Sequence, residues 1–248
     1  MPHSTASTPS HQSVSAYDDA ARVAEYDAKM EIMHPNRAKM ADIVCAMLPF
    51  ARDAEITVLD LGTGTGFLVA RLLQAFPQAQ VIAVDGASAM MQQAQARLGA
   101  KSKQLTWKIG SFQQLAGDND VPELDAVVSS FALHHLAAEE KRRLYHALHA
   151  KLRDGAWFVN ADILVAPYEE IEACYQHLRQ VGIQKRWREH GEEKSLAAIA
   201  AELVELEKKD RDQPLPLDTD LRLLKEAGFR AVDCFWKETR EAVWGGLK

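Results

Sequence analysis

The residues best placed to do chemistry start with Asp60, Gly62, Gly64 and Gly66 in the run VLDLGTGTG at 58–66. Glycines spaced in this way let the backbone bend sharply and approach a ligand, and a following helix leaves its first N–H groups free to point at it. A second carboxylate, Asp85, ends the apolar run VIAVDG at 81–86, 19 residues beyond Gly66. That separation suits an acidic residue on the neighbouring strand end accepting hydrogen bonds from both hydroxyls of a ribose. The alternative is a carboxylate that stabilises a helix N-terminus. The third glycine of a dinucleotide fingerprint is missing. Asp60 would also repel a pyrophosphate and attract an ammonium or sulfonium group. Further along, His134 and His135 in SSFALHHL at 129–136 follow an apolar run. A neutral imidazole there could take a proton from a hydroxyl or thiol; the alternative is one helix cap and one half-buried scaffold residue.

Positioning such groups requires strands that end together. Val58, Leu59 and Leu61 read as a short buried strand, and Phe67 to Phe76 as an amphipathic helix after the glycine turn. Strands follow at 81–86, at 105–110 (LTWKIG), from Pro122 to Ser130 and at 156–163, separated by helices Ala89–Leu98 and Glu139–Leu152. The alternation breaks at 164–217, where two helical stretches, Pro167 to His190 and Ser195 to Asp210, are closed by Pro214 and Pro216. A helix at Leu221–Gly228 precedes two strands, 231–236 and 241–248. The link between these last strands is too short for a parallel crossover, so they must pair antiparallel.

The glycine run with its preceding Asp60, followed by Asp85, resembles motif I and the next acidic strand end of class I SAM-dependent methyltransferases. The tail AGFRAVDCFWK…AVWGGLK is similar to that of many members. The resemblance implies a Rossmann-like, seven-stranded, mostly parallel α/β sheet with an antiparallel C-terminal hairpin, helices on both faces and a small helical cap. It divides the chain into a disordered tail at 1–15, a helical lid at 16–50, a cofactor core at 51–164, a cap at 165–217 and a completing segment at 218–248. It implies S-adenosyl-L-methionine as cofactor. Asp60, Gly62, Thr63, Gly64 and Gly66 would then hold its amino acid part, and Asp85 and Gly86 its ribose.

The same resemblance puts Met90 against the adenine. Ser111 and Phe112 stand where the family often has an Asp for the adenine amino group, and Ala87 replaces a usual Ser. Tyr17-Asp18, Ala20-Ala21 and Tyr26-Asp27 are similar to the family's N-terminal lid, which would bring Tyr26 near the methionine end; alternatively the tyrosines only pack a helix. Ser129 to Leu136 looks like motif IV of the small-molecule branch. It lacks the (Asp/Asn)-Pro-Pro-aromatic signature of nucleobase N-methylation, and His134 and His135 become the catalytic candidates. Asn160 and Asp162 do not match the ligand spacing of a metal-dependent catechol methyltransferase, so no metal is expected.

The chain has 248 residues, 47% apolar and 26% charged, which suits an ordinary globular protein with a substantial core. Its net charge of -6 argues against nucleic acid as the main partner. Cys45, Cys174 and Cys234 are too sparse for a disulfide framework. With no signal peptide and no apolar run of membrane length, the expected location is the cytoplasm and the expected partner a small molecule. Methyl transfer from a sulfonium requires mainly a well-placed nucleophile in a dry pocket, so the acceptor has no obligatory signature. Three further readings stay open. One is an enzyme resembling carboxy-SAM synthase or a modifier of the tRNA wobble uridine, with Arg179 or Arg186 holding a carboxylate. Another is a SAM-binding module without activity, and the last is a NAD-dependent dehydrogenase. Lys185 to Arg188 is either an anion clamp or a solvated helix face.

Overall fold

The structure is a computed structural model that describes residues 20–116 and 120–248. The expected tail at 1–15 and the Tyr17-Asp18 pair lie outside the described residues. Seven strands form one sheet in the order β3-β2-β1-β4-β5-β7-β6. They are β1 Thr57–Leu61, β2 Gln80–Asp85, β3 Leu105–Ile109, β4 Leu124–Ser130, β5 Leu152–Ile163, β6 Arg230–Glu238 and β7 Glu241–Leu247. All neighbours pair parallel except β7, which runs antiparallel to both β5 and β6. The expected terminal hairpin is therefore present, with β7 inserted between β5 and β6.

Side chains alternate across a strand, and β1 shows how this fills both faces. Leu59 and Leu61 point into a layer containing Leu144, Tyr145, Leu148, Leu223 and Leu224. These come from α6 (Ala138–Lys151) and α9 (Leu217–Glu226). Val58 faces the opposite layer, with Met40 and Val44 from α2 (Arg37–Ala46) and Leu68, Val69 and Leu72 from α3 (Phe67–Ala75). α1 (Ala20–Met33) and α4 (Ser88–Leu98) complete that side, and α5 (Phe112–Ala116) follows β3. The connections from β1 and β4 leave on opposite sides, so a crevice opens at the carboxyl ends of the two strands.

α7 (Glu169–Glu189) and α8 (Leu196–Asp210) are inserted after β5. They share a small apolar cluster in which Ile183, Ile199 and Leu203 meet Ile32 of α1, with Trp187 beside it. Polar contacts fix the pair to the sheet. Arg240, at the β6–β7 turn, donates to the Leu164 carbonyl and pairs with Glu172 and Glu207; Glu207 also pairs with Arg179. Glu207 thus joins elements distant in sequence. α9 also begins at Leu217 rather than 221, since Pro216 takes its N-cap position and Asp218 and Asp220 favour its first turn. No helix among the described residues is long and apolar enough to cross a membrane.

Under the sheet, Lys141 of α6 and Asp220 of α9 form a fully buried ion pair at 2.9 Å, and the Tyr145 hydroxyl donates to Asp220. Breaking such a pair leaves a charge without water or partner. Asp220→Ala is expected to lower stability by about 3–5 kcal/mol in urea denaturation, and Lys141→Met in the same chain to restore much of it. An Asp220→Ala protein as stable as the parent would contradict this.

Candidate functional site

The glycine loop after β1 is clamped to the end of β2. Gly62 and Thr63 donate their N–H groups to the Val84 carbonyl. The Asp85 carboxylate accepts from Gly64 N–H at 2.7 Å and from Ala87 N–H at 2.8 Å, so one side chain holds the turns after both strands. Gly62 has a φ of 72°, and a Cβ there would stand 2.3 Å from that of Ala132. Only glycine fits where the loop passes the chain that leaves β4. Gly66 has the same need for a different reason: φ is 76°, and a Cβ would press on Ala94 of α4 at 3.0 Å. At Gly64 nothing but the loop's own Gly62 carbonyl lies near, so its outer face is open to the cleft.

The adjoining wall comes from α1 and α2. Asp27 accepts from the Thr65 hydroxyl at 2.9 Å and from Arg37 at 2.8 Å, and Arg97 also pairs with it. Arg37 is only 7% exposed and lies 4.0 Å above the Phe67 ring, a cation–π contact that steadies a charge facing the cleft. Tyr26 lines the same wall, its hydroxyl pushed up to about 12, chiefly by burial.

Asp60 sits behind the loop. It is 1% exposed and its Oδ2 has no hydrogen-bond partner among the described residues. Burial pushes its carboxyl up to about 7; the Thr63 hydroxyl acts the other way, and the nearby Asp85 charge adds to the rise.

At the far end, β4 terminates at Phe131, whose φ of 51° is strained for a bulky residue. The turn brings His134 and His135 over the end of β5. His134 is buried, with Nδ1 2.5 Å from Asp162 Oδ1 and its N–H donating to Asp162 Oδ2. Burial would lower the His134 pKa, but the charge and hydrogen bond of Asp162 together with the Asp212 charge outweigh it and the pKa is raised. Asp162 is held below the usual carboxylate range: burial opposes this, and the charge and hydrogen bond of His134 outweigh it. Asp212, just after α8, lies 2.9 Å from His135 Nδ1 and 3.5 Å from His134 Nε2. Its neighbour Gln213 donates N–H to the His134 carbonyl and its side-chain amide to that of His135.

One cleft joins these groups. Of the residues expected from sequence, Tyr26, Gly62, Thr63, Gly64, Asp85, Gly86, Met90, Ser111, Phe112 and His135 line it. Asp60, Gly66, Ser129 and His134 stand behind the wall. The Ser129 hydroxyl donates to the Leu61 carbonyl, holding β4 against β1. Arg179 pairs with Glu207 and Arg186 donates to the Ile32 carbonyl, so neither reaches the cleft, while Lys185 is exposed beside Glu189. Arg37, Glu140, Arg211 and Gln213 also line the cleft and carry no recognisable motif. The signal for Arg37 was weak: a cation opening a helix, made meaningful by Asp27 ten residues earlier and by Phe67 beyond the loop. Arg211 and Asp212 lay inside what reads as a solvated charge run.

A family described as "Methyltransferase domain" matches residues 58–155. Trans-aconitate 2-methyltransferase of Deinococcus radiodurans is 37% identical over 99 residues, covering 40% of this chain and 34% of that protein. Among solved structures, an O-methyltransferase family protein from Burkholderia thailandensis superposes with a TM-score of 0.68 at 17% identity, covering 96% of this chain and 63% of that one. Human N-acetylserotonin methyltransferase in complex with SAM gives 0.61 at 16% identity, covering 98% and 60%. The chain thus spans about a third of that curated relative and less than two thirds of these structures.

The buried Asp60 carboxyl gives the fold a pH dependence of defined sign. It keeps its proton in the folded chain up to about pH 7, whereas the unfolded chain releases it near 3.8. Folding therefore takes up a proton between those values, and stability falls as pH rises through the window. Asp60→Asn, which cannot ionise, is expected to remove this loss. Its advantage over the parent in urea denaturation should grow from near zero below the unfolded pKa to at most about 4 kcal/mol above the folded one. Stability curves that stay parallel across the window would contradict the buried-carboxyl account.

Proposed function

We propose that this chain, whose residues 58–155 match a family described as "Methyltransferase domain", binds S-adenosylmethionine at the strand ends and methylates a small molecule beside it. The observation that carries the reading is the combination of the Asp85 carboxylate and the open backbone at Gly64 on one cleft, with the buried Asp60 carboxyl directly behind the loop. These groups fit an adenosyl sulfonium. Asp85, with lone pairs beyond those used by Gly64 and Ala87, accepts from the ribose hydroxyls. Gly62, Thr63 and Gly64 offer a side-chain-free path for the amino acid part. Asp60, behind the loop, is a carboxyl that a neighbouring ammonium group would draw into its ionised form, and Arg37 gives the positive pole for the ligand's carboxylate. Met90 and Phe112 supply apolar walls for the adenine, and Ser111 and Gly86 polar backbone and hydroxyl contacts at its edge.

When bound, the cofactor supplies both the methyl electrophile and a neutral leaving group. The chain's own task is then to hold the acceptor in line and keep water out. Phe131 and Leu136 give the acceptor end apolar walls, and His135, Arg211 and Gln213 give it polar contacts. His135 is the catalytic candidate, since it faces the cleft. His134 acts through it as a positioning residue, fixed from behind by Asp162. In this reading α1 is the lid and α7–α8 the cap, tied down by Asp27 and by Arg240.

A small acceptor is supported by the relatives' names and by the chain's net charge of -6. Nucleobase N-methylation lacks its signature. The engagement of Arg179 and Arg186 away from the cleft counts against a carboxylated cofactor held by either. Asp85→Ala is expected to weaken SAM binding about 10- to 100-fold by isothermal calorimetry, the loss of charge-assisted hydrogen bonds. Unchanged affinity would sink the ribose assignment. SAM should also raise Tm where NAD does not.

A further inference from the structure

Three donor atoms, from His134, His135 and Asp212, lie within 4.8 Å of one another beside the acceptor end of the cleft. Two ligands each about 2.1 Å from one metal ion, at tetrahedral or octahedral angles, stand about 3.0–3.4 Å apart. His135 Nδ1 and His134 Nε2 stand 2.9 and 3.5 Å from Asp212 Oδ1, close to those edges. The Asp212 oxygen is buried, with both imidazoles facing it.

The surroundings are those of a built site. Asp162, 1% exposed, lies 2.5 Å from His134 Nδ1, so a neutral His134 that donates from Nδ1 would turn its Nε2 lone pair toward Asp212. A carboxylate behind a ligating imidazole fixes tautomer and ring orientation at metal centres. Gln213 ties the loop carrying both histidines to the segment carrying Asp212. Together these bonds hold all three donors from two parts of the chain almost eighty residues apart.

We propose that His134, His135 and Asp212 bind one divalent transition-metal ion whose remaining positions open toward the cleft. Two imidazoles and one carboxylate suit zinc, iron(II) or manganese better than calcium or magnesium, which favour all-oxygen sets. The site is distinct from the Asn160–Asp162 pair considered from sequence: Asn160 is buried in the sheet and Asp162 stands behind a ligand. An acceptor held against such an ion would present an oxygen, which narrows the substrate class to hydroxyl- or carboxylate-bearing molecules. That last clause rests on the methyltransferase reading; the ion site does not.

The test is a Co2+ titration of the full chain, free of any tag and stripped with EDTA, followed by visible absorption. Saturable d–d bands at one equivalent are expected, with Kd of about 10 µM or tighter. Asp212→Asn and Asp162→Asn should each weaken binding at least about 10-fold, and the exposed His177→Ala should not. Absence of saturable bands in the parent chain overturns the site, as does equal affinity in Asp212→Asn. The parent titration stands whether or not the Asp162 variant folds. Calorimetry with SAM on the same samples separates the two readings. SAM bound without Co2+ defeats the ion site alone, and Co2+ bound without SAM upholds it while defeating the methyltransferase assignment.

Discussion

The hydrogen bonds that Asp85 accepts from Gly64 and Ala87 organise this molecule's cleft. They tie the turns after two adjacent strands to one carboxylate, and they place that carboxylate at the rim rather than in the core. A loop of glycines has little reason to keep a single shape, because each one loses more conformational freedom on folding than any other residue. Anchoring Gly64 N–H to a charged acceptor, and Gly62 and Thr63 N–H to the Val84 carbonyl, gives it one. The cost is electrostatic. Asp60 lies behind the same loop, and its burial together with the Asp85 charge holds it at the boundary of ionisation. One carboxylate thus faces the cleft and a second lies buried just behind it.

Around this anchor the chain builds walls by the same device, a polar residue that joins distant segments. Asp27 joins α1 to the glycine loop through Thr65 and to α2 through Arg37. Glu241, at the start of β7, accepts from Asn36 and pairs with His34, so the α1–α2 corner is fixed to the sheet. Arg240 does the same for α7 and α8 through Glu172 and Glu207. Each of these groups is at least partly withdrawn from water, where removing one partner matters more than the pair's net contribution. The α7–α8 pair is thus held by directional contacts as well as by apolar area, since among the described residues its shared cluster with α1 is Ile32, Ile183, Ile199 and Leu203 with two partly buried neighbours.

The fold was largely legible in the sequence because its signals are local. Val58, Leu59 and Leu61 before the glycines, Asp85 at the next strand end, and two strands too close together for a crossover required the sheet that is observed. Most of the residues expected around a cofactor line one cleft for the same reason: they stand at fixed offsets from strand ends. Other residues of the cleft were not legible. Asp212 looks like part of a surface charge run after α8 until the fold brings it against His135, and Arg37 has meaning only beside Asp27 and Phe67. Helix boundaries failed where proline misled; Pro216 starts α9 rather than closing a loop. Asp60 illustrates a subtler limit. Its place at the end of β1 was evident, but alternation turns its side chain to the core face shared by Val58, and this was not read from the pattern.

The most direct measurement is a crystal structure of the chain with S-adenosylhomocysteine bound. The account predicts the ribose hydroxyls within hydrogen-bonding distance of the Asp85 carboxylate, the homocysteine part along Gly62 to Gly64 toward Arg37, and the sulfur turned toward His135. Nucleoside density elsewhere on the molecule, or an Asp85 carboxylate turned away from the ligand, would contradict it.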